Sequence, residues 1–267
     1  MITYIQSQLA PFYSPQEATD LAFWILEETT GLSRAHISAC KDKQNISNIE
    51  IILQRLQKKE PIQYIFGHTL WFGLDLLVNS ATLIPRPETA ELVEWIIQTN
   101  PADKSLSVLD IGTGSGCIAI ALKKRRPNWQ ITGLDFSAEA LQIAKQNAVR
   151  NKTQIQWIQH DIFSDFTGTF DLIVSNPPYI LNSEKSSMES NVLDYEPHSA
   201  LFVPDDDPLR FYRRICSIKS TKSIYFEVNE QFAEQVAQLL INNNFDNVQI
   251  KRDIYEKPRM VSGRIKN

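Results

Sequence analysis

The sequence has little of what several classes of protein require. Its 267 residues include 27 lysines and arginines against 31 aspartates and glutamates, which gives a formal net charge of -4. Enzymes that act on nucleic acids usually carry a basic surface, and this chain has no excess of positive charge. The longest basic run, residues 123–126, precedes Pro127 and fits the exposed last turn of a helix. The composition therefore disfavours direct binding of nucleic acid.

Cysteine and histidine are scarce and scattered. The three cysteines, Cys40, Cys117 and Cys216, form no Cys-x-x-Cys pair, which is typical of reduced thiols in the cytosol. The four histidines lie far apart, so we expect no zinc site. No apolar stretch approaches the length of a membrane span, and the N-terminus lacks the pattern of a signal peptide. We expect a cytoplasmic monomer that binds no metal and no membrane.

Residues 1–60 have the pattern of a small all-α domain. Ser14 and Glu17 have the spacing of a capping box, with proline at the first helical position between them. Apolar residues then recur at helical spacing, and a second segment of this kind begins at residue 47. Neither segment carries residues of chemical interest, so we expect this domain to serve in packing or in recognition of a partner, which would be the substrate.

Residues 61–84 are aromatic and punctuated by glycine, a pattern typical of a β-hairpin. Its predicted strands include residues 64–67 and 70–74, and we interpret the region as a linker between two domains. The following segment, residues 84–89, places two prolines around Arg86, which predicts a rigid strap that is not helical. A helix is expected from about residue 88 to residue 99.

From residue 105 onward, predicted strands alternate with predicted helices. The strands are residues 106–111, 131–135, 155–160, 170–175, 224–228, 248–254 and 259–265, and the main helices are 118–124, 138–149, 208–216 and 232–243. Such alternation predicts a parallel sheet between two layers of helices. The last two strands have no helix between them, so they should form a hairpin with one antiparallel strand. We therefore predict an α/β fold for residues 85–267, with a seven-stranded, mostly parallel sheet and helices on both faces.

A glycine-rich segment follows the first of these strands. It consists of Gly112, Thr113, Gly114, Ser115 and Gly116. Such a segment lets the backbone turn tightly and approach a ligand, but by itself it fits NAD, FAD or a purely structural turn. The spacing differs from the dinucleotide pattern Gly-x-Gly-x-x-Gly, and Asp110 just before it would repel a pyrophosphate. Both details favour the methionine portion of S-adenosylmethionine.

The next two strands end near acidic residues. Asp135 can accept hydrogen bonds from both ribose hydroxyls of NAD or S-adenosylmethionine, or it can cap the next helix, for which Ser137 competes. Asp161 can accept a hydrogen bond from the amine of an adenine, with Ile162 or Phe163 packed on the ring. Aspartate at a strand end is also common in ordinary turns.

A stiff turn follows the strand of residues 170–175. It is formed by Asn176, Pro177, Pro178 and Tyr179. The prolines fix the backbone and carry no N–H, while the asparagine offers both a donor and an acceptor. Ligands of open α/β sheets collect at the carboxyl ends of strands. Spare acceptors beside an aromatic plane suit a planar group that bears NH2, which means an amide or a nucleobase amine.

With these motifs in this order, the chain resembles the class I S-adenosylmethionine-dependent methyltransferases. Within that class it is similar to the HemK/PrmC family of protein-glutamine methyltransferases, which modify peptide chain release factors. The resemblance covers nearly the whole chain and is carried by residues 61–67, 83–89, 108–116, 174–180 and 195–201. Adenine methyltransferases share the turn at residues 176–179, so the strap joined to a helical N-terminal domain is the discriminating part.

Three positions depart from the family pattern. Ala90 stands where the family has an acidic residue, and Asn229 stands where it has glycine. The segment that contains Pro204 replaces a pair of glycines. None of these positions belongs to the predicted centre of methyl transfer.

The resemblance implies methylation of the glutamine side-chain nitrogen in the Gly-Gly-Gln motif of release factors. S-adenosylmethionine would donate the methyl group and leave as S-adenosylhomocysteine, bound by residues 112–116, Asp135, Asp161, Ile162 and Asn176. The Asn176 oxygen and the Pro177 carbonyl would accept the two amide hydrogens, and Tyr179 would pack on the amide plane. Pro178 and Arg86 complete the expected substrate site, although Arg86 fits a structural salt bridge equally well.

Three rival hypotheses use part of the same pattern. A nucleic-acid base methyltransferase would need a basic groove around its pocket, which the net charge disfavours. A non-catalytic module that binds S-adenosylmethionine would have no use for the turn at residues 176–179. A nicotinamide oxidoreductase would need the dinucleotide glycine spacing and a proton donor near the fourth strand, and the sequence has neither.

Overall fold

The computed structural model describes residues 1–39, 46–218 and 221–265, so Cys40 lies outside the described residues. These residues form two compact units, one of residues 1–67 with 189–195 and the other of the remaining chain. Cys117 and Cys216 are free thiols. Within the described ranges, no helix is long and apolar enough to cross a membrane, and no cluster of potential metal ligands is found.

The helices and strands are numbered in chain order. The helices are α1 (Ile2–Leu9), α2 (Pro15–Thr30), α3 (Arg34–Ala39), α4 (Ile49–Gln57), α5 (Ile62–Phe66), α6 (Pro87–Thr99), α7 (Cys117–Arg125), α8 (Ala138–Arg150), α9 (Ser190–Tyr195), α10 (Arg210–Cys216) and α11 (Ala233–Asn242). The strands are β1 (His68–Trp71), β2 (Leu74–Leu77), β3 (Ser107–Ile111), β4 (Gln130–Asp135), β5 (Gln156–Gln159), β6 (Phe170–Ser175), β7 (Ile180–Leu181), β8 (Phe202–Val203), β9 (Thr221–Glu227), β10 (Phe245–Arg252) and β11 (Pro258–Ile265).

The smaller unit contains α1 to α5 together with α9. At the start of α2, the Ser14 hydroxyl accepts from the Glu17 N–H at 3.3 Å and the Glu17 carboxylate accepts from the Ser14 N–H at 3.0 Å, so the predicted capping box is confirmed. The apolar helix faces meet in one core that includes Leu9, Ile25 and Leu53. In α9, the Tyr195 hydroxyl donates to the Lys58 carbonyl at 2.9 Å. This contact joins segments that are 137 residues apart in the sequence.

Residues 62–66 are helical, and the prediction of a strand at residues 64–67 is wrong. Pro61 stands at the start of the helical turn, and Gly67 ends it in the left-handed conformation with φ of 77°. The hairpin that follows is formed by β1 and β2, which pair antiparallel, and its turn interrupts the strand predicted at residues 70–74. Its two turn residues, Phe72 and Gly73, both have positive φ, as two-residue hairpin turns require.

The larger unit is built on a seven-stranded sheet in the order β10-β11-β9-β6-β3-β4-β5. Strands β3, β4, β5, β6 and β9 run parallel to their neighbours in this group. Strand β11 runs antiparallel to both β9 and β10. The predicted sheet with its closing hairpin is therefore confirmed.

Helices cover both faces of this sheet. Along β6, Leu172 and Val174 belong to a core that contains residues of α6 and α7, whereas Ile173 belongs to a core that contains residues of α10 and α11. Successive residues of a strand point to opposite faces. A strand that is apolar at consecutive positions therefore needs cover on both sides, which is why these strands read as continuous apolar runs.

The chain order changes direction at β3, which has β4 on one side and β6 on the other. Ligands of such sheets bind where the strand order reverses, outside the carboxyl ends of the strands. The Ser175 hydroxyl at the end of β6 donates to the Ile111 carbonyl at the end of β3, at 2.7 Å. The glycine segment and the turn at residues 176–179 therefore leave the sheet side by side.

Candidate active site

A cavity of about 890 Å³ lies at the carboxyl ends of β3, β4, β5 and β6. Its volume falls within the range of small-molecule sites. Most of the residues predicted from the sequence line it, namely Arg86, Gly112, Thr113, Gly114, Ser115, Asp135, Asp161, Ile162, Asn176, Pro177 and Pro178. Gly116 and Tyr179 are not among the described residues that line it.

The glycine segment wraps one wall of the cavity. Gly112 and Gly114 have φ of 71° and 54°, a left-handed conformation that side chains disfavour. The N–H groups of Gly112 and Thr113 both donate to the Leu134 carbonyl at the end of β4, at 2.9 and 3.0 Å. The turn is therefore tight and is fixed to the neighbouring strand.

Gly116 has a packing function. It precedes α7 with φ of 81°, and a Cβ at this position would lie 3.0 Å from the Trp157 ring and 3.2 Å from Ala144. The position therefore requires glycine because the helix approaches neighbouring side chains closely. The sequence around Gly116 does not distinguish a glycine required for packing from one required for contact with a ligand, because Trp157 lies on another strand.

Asp135 joins the second strand end to the glycine segment. Its carboxylate accepts from the Gly114 N–H at 2.8 Å and from the Ser137 N–H at 3.0 Å. Burial raises the pKa of Asp135, while these N–H groups oppose the shift. Ser137 caps α8 by accepting from the Ala140 N–H. The Phe136 N–H also interacts with the Asp135 carboxylate, so these backbone groups leave part of its acceptor capacity unused.

Asp161 and Ile162 line the cavity beyond the end of β5. The Asp161 carboxylate accepts from the Phe163 N–H at 2.9 Å, which is ordinary turn chemistry, and the residue remains exposed. Ile162 is buried. Beside them the guanidinium of Arg210 lies 4.5 Å from the centre of the Phe163 ring. Sequence reasoning missed Arg210, since its helix follows the fourth strand by 35 residues.

Asp110 lies beneath the glycine segment and not at the cavity surface. It is 1% exposed, and the Thr113 hydroxyl donates to it at 2.5 Å. Burial raises the pKa of Asp110 to about 7, and the nearby charge of Asp135 adds to the shift. The interpretation that Asp110 repels a pyrophosphate is therefore unsupported by its position, and its visible function is to brace Thr113.

The turn after β6 presents Asn176, Pro177 and Pro178 to the cavity. The Asn176 side-chain nitrogen donates to the Thr89 hydroxyl at 3.2 Å. The Tyr179 ring faces away, because its hydroxyl donates to Glu227 at 3.1 Å and its ring packs against the core formed with α10 and α11. Burial raises the pKa of Tyr179, so it remains a neutral donor. This position differs from the predicted stacking on a substrate amide.

Arg86 forms the salt bridge that the sequence left open as one of its functions, whereas its contact with a substrate stays a prediction. It lines the cavity, and its guanidinium lies 2.6 Å from the buried carboxylate of Glu196. The Trp71 indole N–H donates to the Arg86 carbonyl at 2.7 Å. The side chain therefore forms a structural salt bridge at the edge of the cavity.

The sequence analysis assigned no function to Thr89, Glu196 or Glu227, although Thr89 and Glu196 stand in segments that carry the family resemblance. Their contacts join residues that are far apart in the chain, which no local pattern shows. Among the departures from the family pattern, Phe202 in the segment of Pro204 lines the cavity. Ala90 packs against the core formed with α6 and α7, and the Pro204 carbonyl accepts from the Asp207 N–H. Asn229 donates to the Tyr179 carbonyl at 3.3 Å and so supports the turn from behind.

This fold and cavity define the class I methyltransferase type. Residues 89–193 match the family model "Methyltransferase small domain". Among solved structures, human methyltransferase 10 domain containing protein is 17% identical with a TM-score of 0.54, covering 73% of this chain and 90% of that one. A methyltransferase from Pyrococcus furiosus is 16% identical with a TM-score of 0.52, covering 72% and 89%. At such identity these likenesses concern the fold alone.

The family follows from the curated relatives. Residues 1–67 match the model "PrmC N-terminal domain". The release factor glutamine methyltransferase of Flavobacterium psychrophilum is 43% identical over 97% of this chain and 96% of its own length. That of Bacteroides thetaiotaomicron is 42% identical over 97% of each chain. The chain belongs to the release factor glutamine methyltransferase family.

Proposed function

We propose that this chain transfers a methyl group from S-adenosylmethionine to the side-chain nitrogen of the glutamine in the Gly-Gly-Gln motif of peptide chain release factors. The observation that carries the proposal is the position of Asn176. Its carboxamide and the adjacent Pro177 line the same cavity as the glycine segment and Asp135. The names of the relatives, which align over nearly their whole length, support the same substrate.

The residues present fit S-adenosylmethionine. The glycine segment offers a closely approachable backbone for the methionine portion, and Asp135 has acceptors for the ribose hydroxyls. Asp161 and Ile162 offer an acceptor and an apolar surface for the adenine. When bound, this group supplies a methyl carbon activated by a positively charged sulfur.

The chain itself contributes orientation and charge stabilisation. An amide nitrogen is a weak nucleophile because its lone pair is delocalised into the carbonyl. The Asn176 oxygen and the Pro177 carbonyl accept its two hydrogens and hold the nitrogen in line for transfer. Such orientation contributes roughly 7–11 kcal/mol. The same acceptors stabilise the positive charge that develops on the nitrogen. Its proton leaves to water after the N–C bond forms, when the nitrogen has become acidic.

Recognition of the substrate and transfer of the methyl group are assigned to different domains of the chain. We assign recognition of the release factor to the helical domain of residues 1–60, with residues 61–84 as a linker and residues 85–267 as the methyltransferase domain. Phe12 and Ile51 are exposed apolar residues of the helical unit. Phe12→Ser with Ile51→Ser should raise KM for the factor and leave kcat unchanged. We further propose that the chain acts as a monomer in the cytoplasm. Sedimentation of the purified chain tests the oligomeric state.

The decisive experiment offers labelled S-adenosylmethionine with one of three acceptors. These are a release factor, the same factor with alanine in place of the Gly-Gly-Gln glutamine, and total nucleic acid. We expect label in the first alone. Label in nucleic acid and none in the factor would favour a base methyltransferase and overturn the proposal. If the chain binds S-adenosylmethionine but transfers the methyl group to none of the three acceptors, the hypothesis of a non-catalytic binding module would be favoured.

A further inference from the structure

Glu227 lies behind the cavity and connects three elements of the larger unit. It ends β9 and is 1% exposed. One carboxylate oxygen accepts from the Thr89 hydroxyl of α6 at 2.7 Å, and the other accepts from the Tyr179 hydroxyl at 3.1 Å. The Tyr212 hydroxyl of α10 donates to the Glu227 backbone carbonyl at 3.1 Å. Glu227 therefore fixes Thr89 and Tyr179 at the same time.

The hydrogen bonds in this network have a defined direction. The Thr89 hydroxyl donates to one oxygen of Glu227 and the Tyr179 hydroxyl to the other. Burial raises the pKa of Glu227, while these two hydroxyls and the charge of Arg259 oppose the shift and favour the ionised form, which can only accept. The Thr89 oxygen then has only lone pairs for its other neighbour, the Asn176 side chain at 3.2 Å. A lone pair must be met by a donor, which for Asn176 is the NH2 group. The carboxamide oxygen is left for the cavity.

The orientation matters because the two ends of a carboxamide have opposite hydrogen-bonding character. An oxygen facing the cavity accepts from an N–H group of the substrate amide. If the Asn176 carboxamide were turned by 180°, its NH2 hydrogens would face the N–H hydrogens of the substrate amide. Shape would barely change, but the interaction would become repulsive.

We propose that Glu227, acting through Thr89, is a positioning residue that turns the oxygen of Asn176 toward the cavity. The inference rests on the proposed methylation of an amide. Thr89 is 2% exposed and borders the cavity, so its hydroxyl is bound mainly to Glu227 and Asn176. The chain of three side chains therefore selects one of two nearly isosteric states of Asn176.

A matched set of variants tests the proposal. Thr89→Val keeps the shape and removes the hydroxyl, whereas Thr89→Ser keeps the hydroxyl. Thr221→Val is the control. Thr221 is also buried, but it begins β9, at the end opposite to Glu227, and its hydroxyl donates to the Ser223 carbonyl. We expect kcat for the release factor to fall about 10- to 100-fold in Thr89→Val, with KM nearly unchanged. Thr89→Ser should restore most of the rate, and Thr221→Val should retain it.

A second measurement does not depend on turnover. The Asn176 side-chain NH2 group is identified in nitrogen–proton NMR spectra by its loss in Asn176→Ala. If it donates to Thr89, its proton shifts should move and its hydrogen exchange should quicken in Thr89→Val but not in Thr221→Val. Unchanged shifts and exchange in Thr89→Val would overturn the proposal, as would equal rate losses in Thr89→Val and Thr89→Ser. A wild-type chain that leaves the factor unmethylated would instead refute the proposed function, and the NMR result would still decide the orientation.

Discussion

The guanidinium of Arg86 lies 2.6 Å from the carboxylate of Glu196, and this ion pair joins segments that are 110 residues apart. The second oxygen of Glu196 accepts from the Ile84 N–H at 3.1 Å. Glu196 therefore holds the strap at two points, through its backbone and through its cation. The strap is rigid because of this buried acid as well as because of its two prolines.

Glu196→Ala should reduce the free energy of unfolding by about 1–3 kcal/mol, because it leaves the Ile84 N–H and the Arg86 guanidinium without their acceptor. Urea unfolding followed by circular dichroism measures the change. Glu196→Gln keeps an acceptor for the N–H group and should lose less. Equal unfolding midpoints for wild type and Glu196→Ala would mean that the strap is held by its prolines alone.

Asn176→Ala should lower turnover with a release factor by about 100- to 1000-fold, because it removes an acceptor aimed at the reacting nitrogen. Affinity for S-adenosylmethionine should change much less. Asn128→Ala serves as a control, since the Asn128 amide bonds to the carbonyls of residues 102 and 104. Single-turnover kinetics together with calorimetry separate the two effects. Parallel losses of rate and cofactor affinity would make Asn176 chiefly a cofactor ligand.

Asp135→Ala should weaken S-adenosylmethionine binding by about 10- to 100-fold, the amount expected for hydrogen bonds to a charged group. The loss has two parts, since Asp135 also holds the Gly114 N–H. Asp135→Asn retains one acceptor oxygen and should fall between Ala and wild type. Titration calorimetry gives the affinities. An Asp135→Ala protein that binds the cofactor as tightly as wild type would remove Asp135 from the site.

The sequence was sufficient where the signal is local. Runs such as residues 172–174 are apolar at successive positions, which is typical of a strand covered on both faces. The order of strands and helices then left few topologies. The glycine segment, Asp135 and Asn176 were predictable as neighbours, because the carboxyl ends of parallel strands share one edge of the sheet.

Contacts between distant segments were not predictable. The direction of the Tyr179 ring depends on Glu227, which lies 48 residues further along the chain. Thr89 has an ordinary local context, and only the fold brings it to Asn176. The strand wrongly predicted at residues 64–67 shows a different limit, since aromatic residues suit a strand but Gly67 with positive φ ends a short helix. At residues 64–67 the preference of aromatic side chains for a strand did not determine the structure, because Gly67 forms the end of a short helix.

Gly133→Ala should destabilise the protein by about 1–3 kcal/mol through overpacking. A Cβ on Gly133 would lie 2.4 Å from the Trp157 ring of the neighbouring strand, and an adjacent atom of the same ring edge lies 3.0 Å from the Cβ position of Gly116. The ring would therefore have to shift to admit the methyl group. Trp157→Leu in the Gly133→Ala background should recover part of the loss, which a double-mutant cycle measured by thermal unfolding would detect. Strictly additive effects would show that the ring is not the obstacle.

Asp110→Asn should change how stability depends on pH. Burial raises the pKa of Asp110 from an ordinary value of 3.8 to about 7, so the folded state binds this proton more tightly than the unfolded state. The stability that comes from this proton is complete below the unfolded pKa and is lost as pH rises toward 7. An asparagine cannot lose it, so the variant should gain stability relative to wild type between pH 5 and pH 8. Urea unfolding at both pH values measures the difference.

Burial also raises the pKa values of Asp135 and Glu227, but both proteins contain these groups, so their contributions largely cancel. A difference between variant and wild type that stays the same at both pH values would mean that Asp110 is already ionised beneath the glycine segment.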